Sequence, residues 1–233
     1  MPMQSSQIAP SATPPNLLTI GGAALVTDPI TQEQAEEQAV VPATPQEALD
    51  QLYAGNTRFA TGKPLSFRRD MARVKAIAAR QTPFAAFLGC ADSRVPIEFI
   101  FDQGFGDLFV TRIAGNIACS ENIGSLEFGT QVLGAKVLFV MGHSACGAVD
   151  AAMKGAEVPG QISGLFQYIR PAIKSAKGDI NLAVQENVKN QAQLLAESSP
   201  VISRMIQKGE LIVAGGVYDL QTGIVTPVHC DIA

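Results

Sequence analysis

The chain contains four short runs of nearly continuous apolar residues, and segments with helical spacing of apolar residues lie between them. A strand that is apolar on both faces has to be covered on both faces, as in parallel sheets whose strands are joined by helices. The sequence therefore predicts an α/β fold with a parallel sheet between layers of helices. The predicted strands are 84–90, 107–113, 136–143 and 210–217, and the predicted helices are 122–133, 145–154, 162–177, 182–197 and 200–208.

The overall composition is that of a folded domain without a strongly charged surface. Of the 233 residues, 47% are hydrophobic and 16% are charged, and the net charge is −4. This suits one compact domain, and the lack of a basic stretch argues against nucleic acid as a partner. No apolar run reaches the roughly 18 residues of a membrane span, and the N-terminus has no secretory pattern. We expect a cytoplasmic protein by default, and an exported form whose signal has already been removed stays open.

Residues 1–43 differ in character from the rest and are predicted to form an extended N-terminal arm or linker, partly irregular. They are rich in proline, serine and alanine and then polar and acidic, with one short helix expected at 32–40. The folded domain is predicted to cover 44–233. At its start, Thr44, Pro45 and Glu47 match a capping box with proline in the first helical turn. A second helix is predicted at 70–81.

Three side chains that can bind a metal stand where predicted strands end or a helix begins. Cys90 ends the first strand, His143 ends the third, and Cys146 starts the next helix, a position that favours a thiolate. Because parallel sheets bind ligands beyond the carboxyl ends of their strands, we expect these side chains to converge. Two thiolates and one imidazole suit Zn²⁺ and leave a fourth position open, as in catalytic zinc sites. The alternative is ordinary core packing, because cysteines are commonly buried.

Asp92 and Arg94 follow Cys90 closely and allow two interpretations. As a surface ion pair, they would contribute about 0–1 kcal/mol to stability. Beside a metal, Asp92 would accept a proton from a bound hydroxide, and Arg94 would keep Asp92 ionised and oriented. By contrast, Arg112 and Asn116 are expected to be structural and to support the loop after the second strand.

The stretches CADSR at 90–94 and GHSACGA at 142–148 together resemble the beta class of carbonic anhydrases. The similarity extends from 48 to 228 and includes FVTRIAGN at 109–116. The resemblance implies a parallel four-stranded sheet core with an extra edge strand, flanked by helices. It also implies a homodimer or a higher multiple of dimers.

For the site, the same resemblance implies one zinc ion per subunit. Cys90, His143 and Cys146 correspond to the zinc ligands, and Asp92 and Arg94 correspond to the catalytic dyad. The implied activity is the reversible hydration of carbon dioxide to bicarbonate and a proton, by attack of zinc-bound hydroxide. Carbon dioxide and bicarbonate are then the expected small-molecule partners, with no nucleic acid and no membrane span.

Within the family, the sequence resembles the plant-like type. The other type has a bicarbonate effector pocket that uses a tryptophan, and this chain contains none. By position, Gln81 corresponds to a residue that hydrogen-bonds the substrate, and Phe109 and Phe128 correspond to the wall of an apolar pocket supplied partly by a neighbouring subunit. Phe128 stands where the family usually has tyrosine, so its hydroxyl is missing here. The plant-like type has water as the fourth ligand, whereas in the other type the residue corresponding to Asp92 can bind zinc directly.

Two other functions stay open at the level of sequence. The same zinc hydroxide could act on carbonyl sulfide or carbon disulfide, or the chain could be a catalytically inactive zinc scaffold protein. Asp92, Arg94 and Gln81 argue against the scaffold, because a structural metal has no use for them.

Overall fold

The central feature of the fold is a five-stranded sheet, seen in a computed structural model that describes residues 41–232. The strands are β1 Ala85–Gly89, β2 Leu108–Arg112, β3 Val137–His143, β4 Ile212–Tyr218 and β5 Val225–Val228. Their order is β2-β1-β3-β4-β5, with β1 to β4 parallel and β5 antiparallel to β4. The predicted parallel four-stranded core with an added edge strand is confirmed. The helix expected at 32–40 lies outside the described residues.

The two inner strands that carry the predicted metal ligands are fully covered. Every residue of β1 and of β3 is buried, and Gly89 at the end of β1 pairs with Met141 of β3. By contrast, β2 lies at one edge of the sheet and is only partly buried. The apolar runs thus mark strands with helices on both faces, as the sequence predicts.

Helices cover both faces of the sheet, and the predicted ones are present with shifted ends. They are α1 Pro45–Ala60, α2 Met71–Ile77, α3 Ile97–Ile100, α4 Ser120–Glu127, α5 Gly147–Met153, α6 Ser163–Ala176, α7 Ile180–Ser198 and α8 Pro200–Gln207. A π-helical turn, Phe128–Val132, extends α4, and a 3₁₀ turn, Gly160–Ile162, precedes α6. Among the described residues, none of the helices is long and apolar enough to cross a bilayer. The cytoplasmic location stays a prediction.

The start of the folded domain is fixed by the predicted capping box. The Thr44 hydroxyl accepts a hydrogen bond from the Glu47 N–H at 3.2 Å, and the Glu47 carboxylate accepts one from the Thr44 N–H at 3.3 Å. Pro45 is the first helical residue, where its missing N–H has no consequence. Helix α1 therefore begins where the sequence indicates.

Residues 61–82, which include α2, are attached to the domain in a different way. None of these described residues is buried. Instead, two buried aspartates in the loops beside β2 each receive two arginines from this region or from the end of α1, at nitrogen–oxygen distances between 2.7 and 3.5 Å. The pairs are Arg58–Asp102, Arg69–Asp102, Arg68–Asp107 and Arg73–Asp107. This part of the chain is thus held mainly by charge rather than by apolar burial.

Candidate metal centre

Cys90, His143 and Cys146 come together at the carboxyl ends of the inner strands β1 and β3. Cys90 follows β1 directly, His143 is the last residue of β3, and Cys146 is the N-cap of α5. All three are buried, and the atoms that they offer to a metal all lie within 4.8 Å of one another. Zinc bonds of about 2.0–2.3 Å to sulfur and nitrogen fit between donors at this spacing. The predicted convergence of the three side chains is therefore found.

The ring of His143 is oriented for a ligand. Its Nδ1 lies 2.9 Å from the carbonyl oxygen of Ser144, so a neutral ring donates there and keeps its lone pair on Nε2. Nε2 is buried and has no hydrogen-bond partner among the described residues. Buried polar atoms are nearly always paired, and leaving one unpaired costs about 1–3 kcal/mol. A metal at this point satisfies the atom, so the residues present fit a metal ion.

The Cys90 and Cys146 thiols titrate as a coupled pair. A hydrogen bond from Cys146 lowers the pKa of Cys90 to about 4, against the opposing effect of burial. The same contact, together with burial, raises the pKa of Cys146 above its usual range. The thiolate that we expect at Cys146 from its place at a helix start stays a prediction, because the two thiols titrate as one unit when no metal is bound. The α5 backbone lowers the pKa of Cys146, whereas the neighbouring Cys90 sulfur and burial raise it.

Asp92 and Arg94 form a tight pair beside the three donors. The Arg94 backbone N–H and Nε donate to Asp92 Oδ1 at 2.9 and 3.0 Å, and Nη2 donates to Oδ2 at 2.7 Å. This side-chain contact holds the pKa of Asp92 well below its usual range. Asp92 Oδ2 also lies 3.9 Å from Nε2 of His143, while the Arg94 side chain is 56% exposed. Asp92 thus connects the buried donors with solvent.

Arg112 has a role that the sequence does not reveal. Its Nε donates to the carbonyl oxygen of Cys90 at 2.8 Å, and its Nη2 donates to the carbonyl oxygen of Asp92. One planar guanidinium therefore bridges two carbonyls of the loop that carries a metal donor and the aspartate. Arg112 makes structural contacts, as expected, but the loop that its side chain supports is the one after β1 and not the one after β2.

Gln81 lies away from the three donors within this chain. It is exposed and precedes β1, near the amino ends of the strands. There it lines a cavity of about 460 Å³ together with Ile77, Val132 and Leu133. The cysteines and His143 lie at the opposite, carboxyl ends. The structure of one chain does not bring Gln81 to the candidate metal centre, and its substrate role stays a prediction.

Phe109 and Phe128 form an aromatic pair at the β2 edge. Their ring centroids are 6.3 Å apart, and Phe128 is 47% exposed. Phe109 pairs with Ala86, which precedes Cys90 by four residues, or about 13 Å along an extended strand. Within one chain, these rings are therefore not beside the metal donors, and their role as a pocket wall stays a prediction.

Comparisons with known proteins agree with this arrangement. A family model described as "Carbonic anhydrase" matches residues 85–225. Carbonic anhydrase 2 of Mycobacterium tuberculosis is 36% identical over 180 residues, which cover 74% of this chain and 87% of that protein. The carbonic anhydrase of Pseudomonas aeruginosa is 33% identical over 166 residues, covering 64% and 74%.

Solved structures share the fold. Tetrameric beta-carbonic anhydrases of Sordaria macrospora superpose with a TM-score of 0.64 at 24% identity, over 79% of this chain and 96% of theirs. The Coccomyxa beta-carbonic anhydrase, solved with acetazolamide, gives a TM-score of 0.60 at 26% identity, over 81% and 87%. The chain belongs to the beta class of carbonic anhydrases, a family of enzymes. The resemblance seen in the sequence is confirmed.

Proposed function

We propose that this protein catalyses the reversible hydration of carbon dioxide to bicarbonate and a proton at a zinc ion held by Cys90, His143 and Cys146. One observation carries the proposal: a buried, unpartnered imidazole nitrogen lies with two thiols and beside an aspartate that an arginine orients. Two sulfurs and one imidazole nitrogen are a donor set that suits zinc. The names of the relatives support the reaction.

The residues around the metal have defined tasks in this reaction. When bound, zinc supplies a Lewis acid that brings the pKa of a water near neutrality. Asp92 accepts a hydrogen bond from the attacking oxygen and so directs its lone pair toward the carbon of carbon dioxide. Arg94 keeps Asp92 ionised and fixed. Because Arg94 already donates to both carboxylate oxygens, Asp92 would not be free to bind zinc itself, which supports the plant-like type.

Completion of the substrate pocket requires a second subunit. Gln81, Phe109 and Phe128, the predicted substrate contacts, lie apart from the donors within one chain. They lie near the open edge of β2, where exposed Phe128 and Val132 accompany unpaired strand edge groups. We propose that two copies pair along this edge and that each supplies these residues to the other. The Sordaria relatives, described as tetrameric, support an assembly of this kind.

The first test is stopped-flow hydration of carbon dioxide from about pH 6 to pH 9, which brackets the near-neutral pKa expected of water on zinc. Cys90→Ser removes one donor, and Cys119→Ser is the matched control, because Cys119 is a free thiol outside the cluster. We expect turnover that rises with pH in the wild type and in the control, and none in Cys90→Ser. A protein that holds zinc but does not hydrate carbon dioxide would contradict the proposal.

The same experiment separates the alternatives. Turnover of carbonyl sulfide or carbon disulfide well above that of carbon dioxide would assign the centre to the sulfur analogues. Zinc without turnover of any of the three would indicate a scaffold protein. The Asp92–Arg94 pair argues against that last outcome, because a structural zinc needs no oriented carboxylate at an open position.

A further inference from the structure

Helix α7 carries two buried amide side chains that the proposed reaction does not use. Asn187 and Gln191 are one turn apart and only 1% and 2% exposed. The buried residues around them on this helix are otherwise apolar, including Val184, Val188 and Leu195. Burying an amide is unfavourable unless each polar atom finds a partner, so apolar side chains are the simpler choice here. Their hydrogen bonds therefore need an explanation.

The two amides form a connected chain of hydrogen bonds. Gln191 Nε2 donates to the carbonyl oxygen of Tyr168 at 3.1 Å and to Asn187 Oδ1 at 3.2 Å, and Gln191 Oε1 accepts from the Ala118 N–H at 2.8 Å. Asn187 Nδ2 then donates to the carbonyl oxygen of Gly115 at 2.9 Å. Both ends of the loop 115–118, which follows β2, are thus fixed from α7.

Gly115 links this chain to the metal donors. Its N–H lies 3.4 Å from the Cys90 sulfur and donates a hydrogen bond to it. Gly115 has φ +77°, and a Cβ there would lie 2.8 Å from Ile169 Cδ1, so glycine is required. The next residue, Asn116, also has a positive φ, of 43°. A loop with two such residues in succession needs outside contacts to keep its shape, and the α7 amides supply them.

We infer that Asn187 and Gln191 are positioning residues that hold the Gly115 N–H against the Cys90 sulfur. A hydrogen bond to a thiolate ligand draws electron density from the sulfur, and such outer contacts tune both affinity and reactivity of a metal site. This inference rests on the proposed function only in taking Cys90 as a metal ligand. Two buried amide side chains of α7 thus control the hydrogen bond that the Cys90 sulfur accepts.

The test uses Co²⁺ as a spectroscopic probe in the full-length protein. Asn187→Leu keeps the volume but removes the donor to Gly115, and Gln191→Leu removes its support. We expect the sulfur-to-cobalt charge-transfer band to move to longer wavelength in both, since the sulfur loses a hydrogen bond. We also expect Co²⁺ affinity, measured by competition with a chelator, to fall roughly tenfold. Leu195→Ala is the control: it damages packing of the same helix and should leave the band in place.

An unchanged band and unchanged affinity in folded Asn187→Leu would overturn the inference. So would an equal band shift in Leu195→Ala, because that would reduce the amides to general packing. If Asn187→Leu does not fold, Asn187→Ala carries the same test without the added bulk. A wild-type protein that binds Co²⁺ but hydrates no carbon dioxide contradicts the proposed function, and the band shift still decides this inference.

Discussion

At the scale of single residues, His143 and Asp92 at the candidate metal centre are each oriented by hydrogen bonds to neighbouring groups. His143 is fixed through Nδ1 on the Ser144 carbonyl, and Asp92 is fixed by three hydrogen bonds from Arg94. Neither side chain has to find its orientation when a metal or a substrate arrives. Pre-organisation of this kind is what outer contacts contribute to metal sites.

Replacing Arg94 should lower the catalytic activity without loss of the bound zinc. In Arg94→Gln, we expect kcat/KM to fall by about 10- to 100-fold with zinc retained, because Asp92 loses its orientation. Since Arg94 lowers the pKa of Asp92, its loss raises that pKa toward the ordinary carboxyl range, which lies below the assay range, so the fall should be similar from about pH 6 to pH 9. Arg170→Gln, on the exposed side of α6, is the control. A kcat/KM that matches the wild type across this range would contradict a role for Arg94.

Replacing Arg112 should weaken metal binding instead. The ammonium of Arg112→Lys cannot reproduce the fork that bridges the carbonyls of Cys90 and Asp92. We expect zinc affinity, measured against a chromophoric chelator, to fall about tenfold. Arg204→Lys, at an exposed position of α8, is the control and should bind zinc as the wild type does. Equal affinities for the two variants would exclude the bridge as a support of the centre.

At the scale of elements, a glycine near the carboxyl end of β3 determines how closely α7 approaches that strand. Val184 and Val188 pack over Gly142, the residue before His143. A Cβ at Gly142 would lie 2.8 Å from Val188 Cγ2 and 3.1 Å from Val184 Cγ1. The glycine thus sets how deeply His143, a candidate metal ligand, lies under the helix.

We expect Gly142→Ala to lower the free energy of unfolding by about 1–3 kcal/mol, because it forces α7 away from β3. The double variant with Val188→Ala should recover part of that loss, giving a coupling energy in a double-mutant cycle measured by urea unfolding. Gly124→Ala, where no described atom lies within 4 Å of the added carbon, should not destabilise. Additive effects of the two changes would argue against the contact.

Most elements could be predicted from the sequence because burial leaves a pattern in it. The runs that became β1 and β3 are apolar throughout, and Cys90 and His143 stand where those runs end. Helix α3 has only four residues, too few for a helical period, and β5 contains Pro227, which weakens a strand signal.

The contacts between elements left no comparable pattern. The partners of Arg112 lie on the loop after the adjacent strand β1, so spacing along the chain does not reveal them. Asn187 and Gln191 were visible only as polar residues four apart within a predicted helix. That spacing is a usable signal, since both would share one face.

At the scale of the whole molecule, one edge of the sheet has no strand partner among residues 41–232. The edge of β2 is open within the described chain, and Phe128, at 47%, and Val132, at 64%, are exposed beside it. The opposite edge ends in the short antiparallel β5. An open edge with apolar neighbours favours association with another copy.

Val132→Glu should therefore dissociate the assembly, because a charge would be buried at the interface. We expect a smaller mass by light scattering and loss of hydration activity with zinc retained, since the proposed pocket takes its substrate contacts from the partner. Ile224→Glu, at a residue 49% exposed in the β4–β5 connection, is the matched control and should stay oligomeric and active. A fully active monomer would refute the shared pocket.

The pairing of β1 with β3 sets the spacing of two candidate metal donors, Cys90 and His143. Gly89 pairs with Met141, so Cys90 and His143 lie at the ends of two adjacent strands, β1 and β3. The backbone hydrogen bonds of a sheet keep adjacent strands about 4.8 Å apart. Heating makes side chains mobile at temperatures at which the backbone hydrogen bonds between β1 and β3 are still intact. In a calorimeter with a fluorescent zinc indicator, ion release and the heat peak of unfolding should therefore coincide in one transition. Release of zinc at a lower temperature than that of unfolding would mean that strand pairing does not set the spacing of the donors.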